Sequence, residues 1–493
     1  NYDRAFGSHH ISALALYNQS KYWSPSLAYL VPNAYQGIVG RVTYEYASRY
    51  LFEFDMGYNG TENFAVGHRF GFFPAVSAGW ILTEEDWLPD NEILTYMKIR
   101  ASYGEVGNDK IGGARFLYLP TSYSESWEEL YKYRFGVSYN PTESNAMIEG
   151  KMGNPDLTWE RARKTNLGLD FNMFKGRLSI QSDVFYEYRD NILANRSTVP
   201  DIVGADLPAY NLGVMENYGF EFDGTWRHSV REFSYWLRGN LSFARNRIVS
   251  MDEVDKKFAY QAATGRRNGQ FFGLIFDGYY NSWEINALDR PVSAWSSNQL
   301  QPGDCRYVDV NKDGRIDEYD YVPIGYSNIP EIVYGISFGF SWKGFDFSML
   351  FQGASNVSIQ YNGRALWPFI NGTESAKAYI LDRWTPERYA AGEDILFPRL
   401  SINPSGHNYK PSTLWTRDAD YLRLKNMEIG YSLSKKTVRK MRIGGLRLFF
   451  NGSNLLTFTD VIDLDPEVLS GGNLELNAYP LQKVYNFGMN ITF

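Results

Sequence analysis

Ile332-Val333-Tyr334-Gly335-Ile336-Ser337-Phe338-Gly339-Phe340-Ser341-Trp342, then Lys343-Gly344, then Phe345-Asp346-Phe347-Ser348-Met349-Leu350-Phe351, is the stretch on which the fold turns. Before the junction, Ile332, Tyr334, Ile336, Phe338, Phe340 and Trp342 alternate with mostly small or polar residues, and the alternation resumes after it. A period of two places successive side chains on opposite faces of a strand. Two such runs on either side of a basic, Gly-containing junction predict a hairpin over 331–343 and 344–354 with a tight turn.

The same pattern extends outward in both directions. Tyr485, Phe487, Met489, Ile491 and Phe493 alternate with Asn486, Gly488, Asn490 and Thr492. Phe233, Tyr235, Leu237, Leu241 and Phe243 are interleaved with Arg238, Asn240 and Ser242; Tyr218, Phe220, Phe222 and Trp226 with Glu221, Asp223, Thr225 and Arg227. Phe52, Phe54, Met56 and Tyr58 obey the same rule. About fourteen strands emerge, over 8–21, 38–47, 49–59, 69–82, 94–106, 157–172, 176–190, 213–228, 231–248, 331–343, 344–354, 417–434, 446–457 and 483–493. Soluble sheets use strands of roughly 5–6 residues, whereas a tilted strand needs about 9–11 residues to cross a bilayer. These runs match the second length, with large aromatics on one face and charges such as Arg238, Asp223 and Glu187 on the other. That partition suits lipid outside and water inside.

The connections carry the same message. Short ones are expected at Ser48, 83–93, Met173–Lys175, Ser229–Val230, Lys343-Gly344 and 435–445, and long ones at 22–37, 60–68, 107–156, 191–212, 249–330, 355–416 and 458–482. Short periplasmic turns alternating with long extracellular loops are the pattern of outer-membrane barrels. The expected class is therefore all-β, a transmembrane antiparallel β-barrel. The terminal Phe493, on the apolar parity of the last strand, resembles the C-terminal aromatic signal of outer-membrane proteins.

Composition agrees. Aromatic residues make up 17% of the 493, and hydrophobic residues 44%, yet mean hydropathy is −0.39. No apolar run approaches the roughly 18 residues of a membrane helix. A single cysteine, Cys305, excludes an internal disulfide framework, and a net charge of −7 argues against a nucleic-acid partner. The five histidines, His9, His10, His68, His228 and His407, have no metal or triad spacing, and no nucleophile elbow is present, so no enzyme is expected.

Several segments resemble the SusC-like branch of TonB-dependent transporters of Bacteroidetes. They are Arg41-Val42-Thr43-Tyr44-Glu45-Tyr46 with Arg49-Tyr50, Arg69-Phe70-Gly71-Phe72-Phe73-Pro74-Ala75-Val76-Ser77-Ala78-Gly79-Trp80, and Lys98-Ile99-Arg100-Ala101-Ser102-Tyr103-Gly104 with Gly107-Asn108. Gly153-Asn154-Pro155-Asp156-Leu157-Thr158-Trp159-Glu160, Asp420-Tyr421-Leu422-Arg423-Leu424-Lys425-Asn426 and Asn451-Gly452-Ser453-Asn454-Leu455 complete the set, in the family's order. The resemblance implies a barrel of about 22 strands, with residues 1–493 as its C-terminal part and a plug and TonB-contacting segment upstream. It also implies active import driven through TonB, and a SusD-like surface lipoprotein over the extracellular loops. The implied cargo is an oligosaccharide, with peptide as the competitor. A passive porin-like channel and a structural or adhesive surface barrel are the alternatives.

One loop motif points to a ligand. Residues 309–320 read Asp-Val-Asn-Lys-Asp-Gly-Arg-Ile-Asp-Glu-Tyr-Asp, the spacing of an EF-hand calcium loop. Asp309, Asn311 and Asp313 would supply side-chain oxygens, Gly314 the sharp turn, Arg315 a backbone carbonyl, and Asp317 and Asp320 the remaining positions. Asp320 stands where the longer Glu is usual. The expected cofactor is a structural Ca²⁺ ordering loop 249–330, which shows no obvious strand pairing. Flat aromatic rings in the long loops, Trp127, Trp283, Trp295, Tyr361, Trp367, Phe369 and Trp384, are candidates for substrate stacking, with Trp295, Tyr361, Trp367 and Trp384 put forward as substrate-binding residues.

Overall fold

The computed structural model describes all residues except 25–31, 90, 111–114, 121–123, 126–131, 138–139, 149, 201, 203–206, 296–299, 363–366, 370–374, 377, 402–405, 463 and 468–480. Among the described residues fifteen strands, all but the first long, form one antiparallel sheet, hydrogen-bonded in chain order. They are β1 (Tyr2–Phe6), β2 (His9–Tyr22), β3 (Asn33–Tyr46), β4 (Tyr50–Thr61), β5 (Phe70–Ile81), β6 (Leu94–Asn108), β7 (Glu160–Met173), β8 (Leu178–Ala194), β9 (Tyr210–Val230), β10 (Phe233–Ser250), β11 (Ile332–Trp342), β12 (Phe345–Ser355), β13 (Tyr421–Ser432), β14 (Gly445–Thr459) and β15 (Val484–Thr492). Among the described residues no helix is long and apolar enough to cross a membrane.

All fourteen expected strands are present, their ends displaced by a few residues. Three expectations need correction. The sheet has a fifteenth strand, β1, paired from Phe6↔His9 to Tyr2↔Ala13 across a turn in which Gly7 has φ 60°. Five residues are too few to announce a period. Connection length is also not a strict alternation: 82–93 is longer than 62–69 because it holds the short 3-10 turn Leu82–Glu84. Loop 249–330 is not devoid of strand pairing. It contains Phe272–Gly273 against Val322–Pro323, Phe276–Tyr279 against Cys305–Tyr307, and a parallel pair of Val292–Ser293 with Arg315–Ile316. Strands this short leave no periodic trace in a sequence.

The chain divides into two compact units. The first comprises Asn1–Gly176, Gln181–Phe220 and Asn246–Val254. Here the register sets Val42 opposite Phe54 and Tyr58 opposite Phe72, while Arg41 faces Asp55 on the other side of the sheet, its Nε 2.7 Å from the carboxylate. Arg100 donates to Asp183 at 2.6 Å and to Asp170 at 3.2 Å on that same polar face. The stretch 153–160 roots the connection that leads into β7. Leu157 and Trp159 are buried with Phe64 and Phe73, Trp159 Nε1 donates to the Arg69 carbonyl, and Asn154 Nδ2 donates to the Ala209 carbonyl. Gly153 is required sterically, since a Cβ there would lie 2.6 Å from the backbone of residues 118–120.

The second unit comprises Arg177–Ile180, Glu221–Arg245 and Asp255–Phe493. Its β10–β11–β12 register runs Phe233↔Trp342, Tyr235↔Phe340, Leu237↔Phe338 and Phe340↔Phe347 on one face. Phe338 and Phe340 both pack on Phe347, with ring centroids 5.7 and 5.5 Å away. The opposite face carries Arg238 on Asp223 at 2.8 Å, and Arg447 bridging Asp346 and Glu428. Asn451 extends this polar row by donating to Glu428 and accepting from Asn486. The Lys343-Gly344 turn forms as read from the sequence, both residues with positive φ.

These faces give a measurable asymmetry. An Arg facing the hydrocarbon midplane costs about 2–4 kcal/mol, and much less in a wet interior. Phe338→Arg is expected to lower the yield of heat-resistant folded barrel well below that of Ser337→Arg. Equal yields from the two variants would contradict the facing.

Candidate functional site

The long loops of the second unit fold into a packed body with its own core. Leu274, Tyr279, Cys305, Tyr307 and Ile316 from 251–331 meet Val357, Ile359, Tyr361, Ile380, Trp384, Phe397, Leu414, Trp415 and Ala419 from 356–420, with Val461 beyond β14. Backbone pairing between Ser358–Gln360 and Thr416–Asp418 closes the second loop on itself. A buried polar network threads this core. Asp304, fully buried, accepts from Arg399 Nε at 2.7 Å, Asn408 Nδ2 at 2.9 Å and the Gln301 amide at 2.8 Å. His407, also fully buried, lies 2.7 Å from Ser293 Oγ through Nδ1 and 2.8 Å from the Cys305 carbonyl through Nε2. Tyr307 donates its hydroxyl to the His407 carbonyl, and Trp415 Nε1 donates to Asn408 O at 2.7 Å. Residues roughly a hundred positions apart are thereby stapled together.

Two ion clusters fix the body to the strands beneath it. Glu331, just before β11, accepts from Arg245 at the end of β10, from Arg267 and from Asn356. Arg423, 1% exposed in β13, binds Asp465 at 2.8 Å and Glu467 at 2.6 Å. A buried pair of this kind strongly penalises removal of one partner, because the survivor is left charged and unpaired.

The acidic loop 309–320 lies on this body. Gly314 has φ 81° and Lys312 φ 59°, so the chain turns sharply where the motif requires it. Asp309 folds over the turn, accepting from the amides of Asp313 and Gly314, while Asn311 Oδ1 also accepts from the Asp313 amide. Asp313 accepts from the Arg315 amide, and Asp317 caps the 3-10 turn Glu318–Asp320 through the Tyr319 amide. Asp320 is buried and accepts from the amides of Val310, Asn311 and Asp317. Burial, with the nearby Asp309 charge, pushes its carboxyl above the usual range against those three amides. Among the described residues no three His, Cys, Asp or Glu side chains already converge as a metal-binding group. The negative field is nonetheless felt nearby: Tyr260 is raised by burial first, then by Asp320, Asp313, Asp309 and Asp317. Tyr260 also donates its hydroxyl to the Tyr319 carbonyl at 2.7 Å.

The aromatic candidates fall in unequal places. Tyr361, 2% exposed, hydrogen-bonds both the amide and the carbonyl of Ile462, and Trp384 is buried in the same core. Trp295 and Trp367 are packed against that core, Trp295 beneath Lys410 and Trp367 4.8 Å from Tyr409. Trp283 is the exposed ring, at 87%. Trp127 lies outside the described residues. The sequence reading missed the Asp304–Arg399–Asn408 and Ser293–His407 networks, for which linear spacing offers no signal.

His407 makes the core sensitive to acid. Burial holds its pKa below the ordinary histidine value, helped by Arg290 and Lys410 and opposed by its bond to the Cys305 carbonyl and by Asp304. The unfolded chain therefore binds the proton more readily, so stability present at neutral pH is lost as pH falls through about 6.5. Proteolysis of the loop body is expected to accelerate between pH 7 and 5, and less so in His407→Gln. An equal acid response in both proteins would remove His407 as the cause.

Residues 16–455 match the family model described as TonB dependent receptor-like, beta-barrel. The chain is 26% identical to TonB-dependent receptor P3 of Formosa agariphila over 543 aligned residues, covering 100% of this chain and 51% of that protein. It is 28% identical to TonB-dependent receptor SusC of Bacteroides thetaiotaomicron, covering 94% of this chain and 44% of that one. Among solved structures, that of the RagAB peptide transporter superposes with a TM-score of 0.74 at 20% identity, covering 100% of this chain and 54% of the other. The chain thus spans about half the length of these relatives.

Proposed function

This chain belongs to the TonB-dependent receptor-like β-barrel family of the outer membrane, and from that premise we propose that it is part of an active importer of oligosaccharides. The family is one of transporters and not of enzymes. The observation that carries the reading is the pairing of a two-faced, membrane-length sheet with loops folded into a packed body. A simple pore needs no such body, and an adhesin needs no charge-lined inner face. The SusC-like motif set implies a glycan cargo and a SusD-like surface lipoprotein seated on the loops, and the similarity to TonB-dependent receptors supports TonB as the source of energy. Peptide is the second reading, favoured by the structural likeness to the RagAB peptide transporter.

Deleting the gene and following uptake of fluorescent oligosaccharide and oligopeptide mixtures tests this directly. Loss of oligosaccharide uptake, together with collapse of wild-type uptake when the proton gradient is dissipated, is the expected result. Loss of peptide uptake alone would install the second reading. Uptake that survives dissipation would make the barrel a passive channel, and unchanged uptake of both would leave a structural barrel.

Within that importer, loop 309–320 binds a structural Ca²⁺. The donor set supports it: Asp309, Asn311, Asp313, Asp317, Asp320 and the Arg315 carbonyl are hard oxygens, and the turn at Gly314 brings the motif's first half round. Five carboxylates in twelve residues, four of them in the donor set, repel one another until a divalent cation offsets them. Ca²⁺ is expected to slow proteolysis within 249–330, and Asp309→Ala with Asp313→Ala to abolish the effect. Cleavage at the same rate in Ca²⁺ and in chelator would dismiss the ion.

A further inference from the structure

The connection between β13 and β14 holds Lys435, Lys436, Arg439, Lys440 and Arg442, and residues 433–444 contain no acid. Lys435–Lys440 forms the short helix α1. Ser434 caps it by accepting from the Thr437 amide, and Val438, 4% exposed, pins it against the barrel end. All five cations point into solvent, and among the described residues none has a carboxylate within ion-pair distance. Cations in a first helical turn oppose the helix dipole. Lys435 and Lys436 therefore sit where the local fold would prefer acids, so something other than the helix accounts for them.

The surroundings say what that is. Ser432 donates its amide to Gly344 O at 2.7 Å, so the basic connection adjoins the Lys343-Gly344 turn, at the short-connection end of the strands. The apolar face of those strands ends here in exposed Trp342, Phe345, Tyr431 and Leu448, with Phe345 and Tyr431 4.5 Å apart. Aromatic rings of this kind mark the level of lipid headgroups. Lys343 lies over the Trp342 ring and only 3.9 Å from the exposed Glu232, a pair too open to neutralise it. Unpaired cations thus stand immediately beyond an aromatic girdle.

We propose that this basic connection binds the phosphate groups of anionic phospholipids in the periplasmic leaflet, fixing this end of the barrel at the membrane plane. The inference rests on the outer-membrane placement of the sheet and not on the cargo. The full-length protein is placed in nanodiscs of equal phosphatidylcholine and phosphatidylglycerol, and the lipids it retains on release are counted. Each cation near an anionic surface favours binding by roughly five-fold. The wild type is therefore expected to retain phosphatidylglycerol several-fold over phosphatidylcholine. The preference should fall to near parity in Lys435→Gln/Lys436→Gln/Arg439→Gln/Lys440→Gln and persist in Lys435→Arg/Lys436→Arg/Lys440→Arg. Lys436→Gln alone, with an exposed side chain away from Val438, serves if the quadruple variant fails to fold. Equal retention in the Gln and wild-type proteins overturns the proposal. So does binding to purified peptidoglycan that is lost in the Gln variant while lipid retention is unchanged, which would assign the patch to the cell wall. An impermeant maleimide that labels Lys343→Cys in intact cells would overturn it separately, by placing this end outside.

Discussion

A backbone crossing hydrocarbon has no water to satisfy its amides and carbonyls, and each one left unpaired costs several kcal/mol. The long sheet follows from meeting that constraint with strands. Fifteen of them pair in chain order, so each interior strand spends its hydrogen bonds on its sequence neighbours. Once pairing is fixed, the period of two does the rest: one parity must suit lipid and the other water. Phe338 and Phe347 lie on the first, Asp223, Arg238 and Arg447 on the second.

The polar parity is charged but largely self-compensated. Arg41 with Asp55, Arg100 with Asp170 and Asp183, and Arg447 with Asp346 and Glu428 are cross-strand partners. Such partly exposed pairs contribute little stability each. Their effect is that charges on the polar parity are met by opposite charges on the same face. The loops solve a different problem. Segments as long as 251–331 and 356–420 are costly to order, and here they order one another, with an apolar core around Trp415 and Tyr361 and buried anchors at Asp304, Glu331 and Arg423.

The strands were legible in the sequence because their signal is local: alternation survives in any window of ten residues. β1 was missed because five residues before Gly7 do not establish a period. The loop body was illegible for the opposite reason. Its contacts join Tyr307 to His407, Cys305 to Asn408 and Tyr361 to Ile462, and no linear rule ties such distant positions. Aromatics read as ligand candidates therefore proved to include core residues, Tyr361 and Trp384 among them. Within 309–320 the spacing predicted only a local feature, a sharp turn at Gly314, and Gly314 does turn there with positive φ.

The central claim is that alternate residues of each long strand face lipid and water. Nitroxide labels placed singly at positions 334 to 342 of β11, in the protein reconstituted into lipid, measure it through collision with oxygen and with a water-soluble nickel chelate. The account expects oxygen contact to peak at 334, 336, 338, 340 and 342 and nickel contact at 335, 337, 339 and 341. A flat profile, or maxima at the opposite parity, would contradict it.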